Sequence, residues 1–224
     1  GIYVFRYCGK DAENGLTVEF GSKVKKISSM GLSNTNLKKV IMSEGIETIK
    51  GGAFGGCKGL EEIKLPKSLV EIKAGAFREC SNLKEVTIPS KVTEVGMYAF
   101  MDCKKLGKVT VEGNITTGDV AFINAGSEAK DAEGNATGIE VIYGPEVSTI
   151  GTMMMQRATE VRKVTLSENL SHVVARAFDG CKKLEYIKVQ SPECEYEKGT
   201  APDTSIEGIY VFRYCGKDAE NGLT

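Results

Sequence analysis

Apolar residues recur along this chain at fixed places within a unit of about 23 residues. Counting from a leucine as position zero, they stand at offsets zero, three and five: Leu60, Ile63 and Leu65; Leu83, Val86 and Ile88; Leu184, Ile187 and Val189. Offsets three and five alternate with polar residues at two and four. This is strand periodicity, so each unit is predicted to hold a short strand with offsets two and four facing solvent. Pro66 and Pro89 at offset six remove a ladder donor and end the strand. A second apolar pair follows at offsets nine and twelve, in Leu69 with Ile72, Val92 with Val95 and Val147 with Ile150. Next comes a small residue followed by Phe, as in Ala76-Phe77 and Ala99-Phe100. The Ala lets the chain pass close and the ring fills the layer, where a fully buried Phe or Leu is worth roughly 1.5–3 kcal/mol.

A cysteine stands three residues after the Phe in the pairs Phe54/Cys57, Phe77/Cys80, Phe100/Cys103 and Phe178/Cys181. Units begin at Gly15, Leu37, Leu60, Leu83, Leu106, Gly138, Val161 and Leu184, and those from Leu106 and Leu184 are lengthened to 32 and 38 residues. A unit this small cannot bury both of its faces, so the pattern predicts stacked coils: one solenoid over residues 1–224 with partial units at both ends. Residues 1–17 and 208–224 are identical, GIYVFRYCGKDAENGLT, at an offset of 207, which is also the summed length of the eight units. The second copy therefore falls in frame, with Phe5 and Cys8, like Phe212 and Cys215, at the Phe and Cys positions. This reads as a window on a longer array with a 207-residue duplication, although an engineered or wrapped sequence would give the same letters.

The unit from Gly138 departs from the pattern, with Met154 and Met155 at the Ala-Phe position and Ala158 at the Cys position. Met153 to Met155 read as flexible filling of an irregular core layer, with a soft partner-binding patch as the other reading.

Composition narrows the function. The 224 residues carry 29 basic and 30 acidic side chains, interspersed, for a net charge of −1. No field steers such a surface toward nucleic acid or an anionic membrane. No apolar run reaches the roughly 18 residues of a membrane helix. The chain shows neither an initiator Met nor a signal peptide, which fits an excised piece. Seven cysteines suggest disulfides, but side chains at one repeat position point the same way, so the column reads as free, buried packing thiols. Cys194, in the long insertion, is the expected exposed exception.

The units GAFGGCKGLEEIKLPKSLVEI and YAFMDCKKLGKVTVEGN resemble the BspA-type leucine-rich repeat, with the closest match over residues 37–106 and 161–189. The resemblance implies an α/β-type leucine-rich-repeat solenoid, mostly short parallel β-strands with turns and little helix. It also implies a cell-surface or secreted bacterial protein that binds other proteins, an adhesin-like module whose partners include host matrix or plasma proteins.

Catalytic chemistry is poorly supplied. His172 is the one histidine and has no assignable Ser or Cys partner, and no phosphate-binding glycine loop is present. No enzyme activity and no cofactor are expected, and a hydrolase would need a deep polar pocket. Asp131, Glu133 and Asn135 alternate like the start of a calcium loop, but the distant bidentate Glu is missing and Gly134 is misplaced, so a polar insertion is expected instead of a metal site. Asn114, Asn135 and Asn169 open N-x-S/T triplets.

The candidate partner-binding surface is the outer face of the sheet. At offset two the units present Lys39, Glu62, Glu85, Lys108, Glu140, Lys163 and Tyr186, and at offset four Ile41, Lys64, Thr87, Thr110, Ile142, Thr165 and Lys188. Solenoids bind proteins through such extended surfaces, against the plainer reading of a solvated sheet. The insertions near residues 126–138 and 191–205 are alternative contact loops or spacers. A further alternative is a structural spacer or self-associating array, in which the apolar run from Ile209 to Tyr214 and an unpaired end stack head to tail.

Overall fold

The computed structural model describes Phe5, residues 7–192 and residues 194–196. Strands follow the repeat coil by coil. The first coils carry β1 (Leu16–Phe20) with β2 (Lys26–Ile27), then β3 (Leu37–Met42) with β4 (Thr48–Ile49). The third holds only β5 (Glu71–Ile72), and the fourth and fifth hold β6 (Glu85–Ile88) with β7 (Glu94–Val95) and β8 (Lys108–Val111) with β9 (Thr117–Gly118). After the insertion come β10 (Ile139–Tyr143) with β11 (Thr149–Ile150), β12 (Val161–Thr165) with β13 (His172–Val173), and β14 (Tyr186–Lys188) with β15 (Glu195–Tyr196).

Every strand pair is parallel and joins neighbouring coils. The longer strands form a two-stranded sheet, β1-β3, and a five-stranded sheet, β14-β12-β10-β8-β6, while the short strands form β2-β4-β5-β7-β9 and β11-β13-β15. Among the described residues there is no helix, so the β part of the expected leucine-rich-repeat solenoid accounts for all of the regular structure. One buried hydrophobic cluster runs inside the coils from Ile27 to Leu184.

Two expected strand features differ. Residues 60–66 stay irregular, and this separates the two sheets. The stretch Leu60-Glu-Glu-Ile-Lys-Leu65 has one β-branched residue, whereas β6 has three in Val86, Thr87 and Ile88, and Glu and Lys are poor strand formers. Val189, expected to face inward, is 53% exposed because it lies beyond the end of the edge strand β14.

The third side of each coil is a turn around the Ala-Phe-x-x-Cys segment, and its backbone is satisfied by the next coil. The amides of Gly52, Phe54 and Gly56 donate to the carbonyls of Ala74, Ala76 and Arg78 at 3.1, 2.8 and 2.7 Å. Gly75, Phe77 and Glu79 repeat this onto Met97, Ala99 and Met101 at 3.0, 2.8 and 2.8 Å. Buried amides need partners, and here a ladder without strands supplies them. The geometry requires a left-handed residue just before the Cys position: Gly56 at φ 73°, Glu79 at 60°, Asp102 at 58°, Asn124 at 55° and Gly180 at 82°. A second one precedes the Ala-Phe step, in Gly52 at 63°, Gly75 at 62°, Tyr98 at 60° and Arg176 at 65°. Outside glycine each such residue costs on the order of 1–2 kcal/mol, which the stack must offset.

The rings form one column. Phe54, Phe77, Phe100 and Phe122 are fully buried and stack with centroids 5.2, 5.2 and 5.0 Å apart and planes within 9° of parallel. That spacing is close to the distance between neighbouring strands, so the rise of the ladder sets the ring contact. Phe122, in Ala121-Phe122-Ile-Asn-Ala125, belongs to the column although Ala replaces its Cys. Met155 takes the next place, and buried Phe178 meets Tyr143 edge-on at 6.2 Å.

The lengthened coil keeps its register. Its extra residues form an exposed tip with an antiparallel bridge from Lys130 to Ala136, and β10 still pairs with β8 as Glu140 opposite Lys108. The strands that follow the similar loops KDAENG (residues 10–15) and KDAEGN (residues 130–135) open with a bulge, since Leu16 and Thr17 face Leu37 and Lys39, and Ile139 and Glu140 face Val161 and Lys163. Gly15 (φ 70°) and Gly138 (φ 59°) precede these bulges. A Cβ on either would come within 3 Å of the neighbouring coil, at Lys38 and at Glu160 and Arg162 respectively.

Truncating one ring tests the column. Phe77→Ala is expected to lower stability by about 3–5 kcal/mol in urea unfolding, with Phe77→Leu costing clearly less. Equal and small losses from both would show that the stack does not depend on the rings.

Candidate protein-binding face

The five-stranded sheet brings most of the expected surface residues together. Glu85, Lys108, Glu140, Lys163 and Tyr186 stand side by side across β6, β8, β10, β12 and β14. Thr87, Thr110, Ile142, Thr165 and Lys188 form the parallel row beside them. Opposite charges on directly neighbouring strands attract, so the alternating row is compatible with close strand pairing. Tyr186 is 45% exposed at the end of the charged row. Lys39 and Ile41 lie on the separate two-stranded sheet, opposite Thr17 and Glu19, and Glu62 and Lys64 are exposed in the irregular stretch. The sheet therefore joins seven of the eleven partner-binding candidates in one ladder: Glu85, Lys108, Glu140, Ile142, Lys163, Tyr186 and Lys188.

Ion pairs border this face at offset one. Lys84 meets Glu61 at 2.7 Å, and Arg162 meets Glu185. The hydrogen bond from Lys84 holds the Glu61 carboxyl below its usual range. Such pairs clamp one coil to the next, but at the surface each contributes only about 0–1 kcal/mol.

A second surface escaped the sequence reading. Between the short ladder and the turn column run two adjoining open grooves of about 750 and 580 Å³, sharing Gly51, Ala74 and Met97. Their walls include Met30, Met97 and Tyr98, exposed by 39, 43 and 39%. The signal was present: Met97-Tyr98 stands where neighbouring units have Gly51-Gly52 and Ala74-Gly75. Of the three consecutive methionines, Met154 and Met155 fill the core as expected, and half-buried Met153 lines the larger groove.

The remaining candidates are held in local structure. Both oxygens of Asp131 accept from Asn135, one from its amide at 2.8 Å and one from its side chain at 3.1 Å, which closes a turn and keeps the carboxyl below its usual range. His172 is half-buried in β13 opposite Thr149. Asn114 spans the lengthened coil, with its Oδ1 accepting from the amides of Ser148 and Thr149 at 2.9 and 3.0 Å. Among the described residues no group of three or more His, Cys, Asp or Glu converges to hold a metal, and no helix is long and apolar enough to cross a membrane.

Sequence comparison matches the BspA type leucine-rich repeat region in six copies, over residues 2–131 and 132–215. The chain belongs to the BspA-type leucine-rich repeat family. Among solved structures, this BspA-type chain is similar to a leucine-rich cell surface protein from Faecalibacterium prausnitzii, with 18% identity and a TM-score of 0.37 over 78% of this chain and 54% of that one. It thus spans about half the length of that protein. It is also similar to a leucine-rich repeat protein from Bacteroides ovatus, with 17% identity and a TM-score of 0.43 over 88% of this chain and 78% of that one. No curated protein matches it.

The cysteine of this BspA-type repeat has a definite structural task. The Phe carbonyl of one coil accepts the thiol of the next: Cys80 Sγ reaches Phe54 O and Cys103 Sγ reaches Phe77 O, both at 3.2 Å. Cys57 donates likewise to Leu32 O at 3.1 Å and Cys181 to Met155 O at 3.3 Å. Where Thr35 replaces Cys, its hydroxyl bonds back to Leu32 O within its own turn at 2.8 Å. Burial pushes the thiols of Cys57, Cys80 and Cys103 up from their ordinary range. Thiolate is the reactive form, so these cysteines are inert, whereas Cys8 is exposed.

Alkylation followed by mass spectrometry is expected to label Cys8 in the native protein and to reach Cys57, Cys80, Cys103 and Cys181 only after unfolding. The pH dependence has a definite sign. Burial holds the thiols of Cys57, Cys80 and Cys103 protonated in the folded state above pH about 8.5, where the unfolded chain ionises, so their stabilisation is complete below that pH and is lost as pH rises beyond it. The melting temperature is therefore expected to fall more steeply above that pH in the parent protein than in Cys80→Ala.

Proposed function

We propose that this chain is a non-enzymatic, adhesin-like module displayed at a bacterial cell surface, and that it binds another protein through the outer face of the β6–β14 sheet. The supporting observation is the in-register double row on that face. Five parallel strands fix its alternating charges and the exposed Tyr186 on a stiff support. A rigid surface loses little entropy on binding, and mixed charge with an exposed aromatic residue suits a protein partner better than a lipid or a polyanion. The family assignment and the cell-surface description of the Faecalibacterium protein support the location. Host matrix and plasma proteins are the partners this reading favours.

A panel of immobilised matrix and plasma proteins tests it. The chain is expected to be retained by at least one, and Lys108→Gln combined with Lys163→Gln and Tyr186→Ala to weaken that retention about tenfold or more, with the cooperative unfolding transition retained. Retention no better than that of an unrelated solenoid would count against the reading.

A further inference from the structure

The apolar run from Ile209 to Tyr214, with Phe212 and Cys215, lies outside the described residues. Within the described residues, the groove beside the turn column holds one carboxylate with an unmet hydrogen bond. Three ionisable side chains line its larger part: Lys73, Glu94 and Asp119. Lys73 Nζ already lies 2.6 Å from Glu94 and 3.3 Å from Glu71. In the smaller part Arg78 and Glu79 pair at 3.1 Å. Asp119 differs from all of these, because its Oδ1 is shut off from water and has no hydrogen-bond partner. A carboxylate dried on one side and left without a donor is costly to keep, and its charge acts strongly on a cation entering a largely apolar channel.

Asp119 comes from a departure in the repeat. Gly118 pairs with Val95, so Asp119 stands where the preceding units have Gly96 and Lys73. From there the chain reaches Phe122 in three residues, whereas Gly96 takes four to reach Phe100. The other end of the groove is apolar. Met30 on one side and Met97 with Tyr98 on the other flank a floor that includes Gly52, Ala74 and Gly75. The amides of Gly52 and Gly75 already donate to Ala74 O and Met97 O, so this floor offers contact to an apolar side chain and no open ladder to an added strand. Tyr98 keeps its ring 39% exposed at φ 60°, where the preceding units have Gly52 and Gly75. Backbone strain of this kind gathers at binding sites.

We infer that the groove takes an extended segment of a partner polypeptide, with a Lys or Arg of that segment beside Asp119 and an apolar side chain on the glycine floor between Met30 and Tyr98. The charge at Asp119 selects the basic group. The coils of Gly75 and Asp119 are two steps apart in the stack, β5-β7-β9, or about 10 Å, which an extended chain covers in about three residues. The motif recognised is therefore a basic and an apolar residue three positions apart, in either order. Such a segment spans both parts of the groove, whereas a small amine would fill only the neighbourhood of Asp119. The groove shares no residue with the β6–β14 sheet, so this site stands apart from the outer face.

Random octapeptides displayed on phage and selected on the immobilised full chain test the inference. Enriched peptides are expected to carry a Lys or Arg three positions from an apolar residue. In fluorescence anisotropy, these peptides are expected to bind Asp119→Asn and Tyr98→Gly about tenfold or more weakly than the parent, with the cooperative unfolding transition retained in both. Asn keeps the shape of Asp, and Gly is the residue that neighbouring units place at the Tyr98 position. The triple sheet variant is expected to bind the peptides like the parent, so this result and that of the matrix-protein panel are read separately. Four outcomes would each overturn the inference: enrichment no better than on an unrelated solenoid, enriched peptides without a basic residue, equal affinity for Asp119→Asn and the parent, or displacement by free arginine amide as potent as by the peptide itself.

Discussion

Every coil of this chain leaves unfinished on its own what the next coil completes. The Phe ring is covered by the ring beyond it, the turn amides donate to the carbonyls beyond them, and the Cys thiol reaches back to the coil before. These three requirements share a single step, the distance between adjacent parallel strands. A ring spacing of 5.0 to 5.2 Å is therefore a property of the ladder as much as of the rings. Stability in such an array belongs to the interfaces between coils, which is why left-handed residues as bulky as Tyr98 and Arg176 are tolerated inside the turns.

Most of this was legible in the sequence because the repeat reports burial directly. Offsets nine and twelve are apolar in nearly every unit, the Ala-Phe-x-x-Cys segment keeps its residue types in the four coils of Phe54, Phe77, Phe100 and Phe178 and is buried there, and offsets two and four are polar or mixed where the structure exposes them. What was not legible depends on neighbours. The irregular stretch at residues 60–66 has the same apolar spacing as β6 and differs in β-branched content, a weaker signal than periodicity. Phe122 is hidden by the loss of its Cys, and the bulges after Gly15 and Gly138 depend on a partner strand that no single unit contains.

The candidate surface was legible in part. Alternation places Glu85, Lys108, Glu140 and Lys163 outward, but only pairing shows them as one row, with Lys39 and Ile41 on another sheet. The groove beside Met97 and Tyr98 comes from the depth between the turn column and the short ladder, which is not a one-dimensional property. Binding surfaces on a solenoid arise from what adjacent coils place together, and a list of exposed offsets understates them.

The tip around Lys130 and Ala136 shows how such a protein can vary. Extra residues leave the stack at one corner and return to it with Glu140 still opposite Lys108, so the ladder records no trace of their length. That corner works as a socket: a lineage, or an engineer, can exchange the ornament plugged into it for one of different chemistry while the spine beneath keeps its shape.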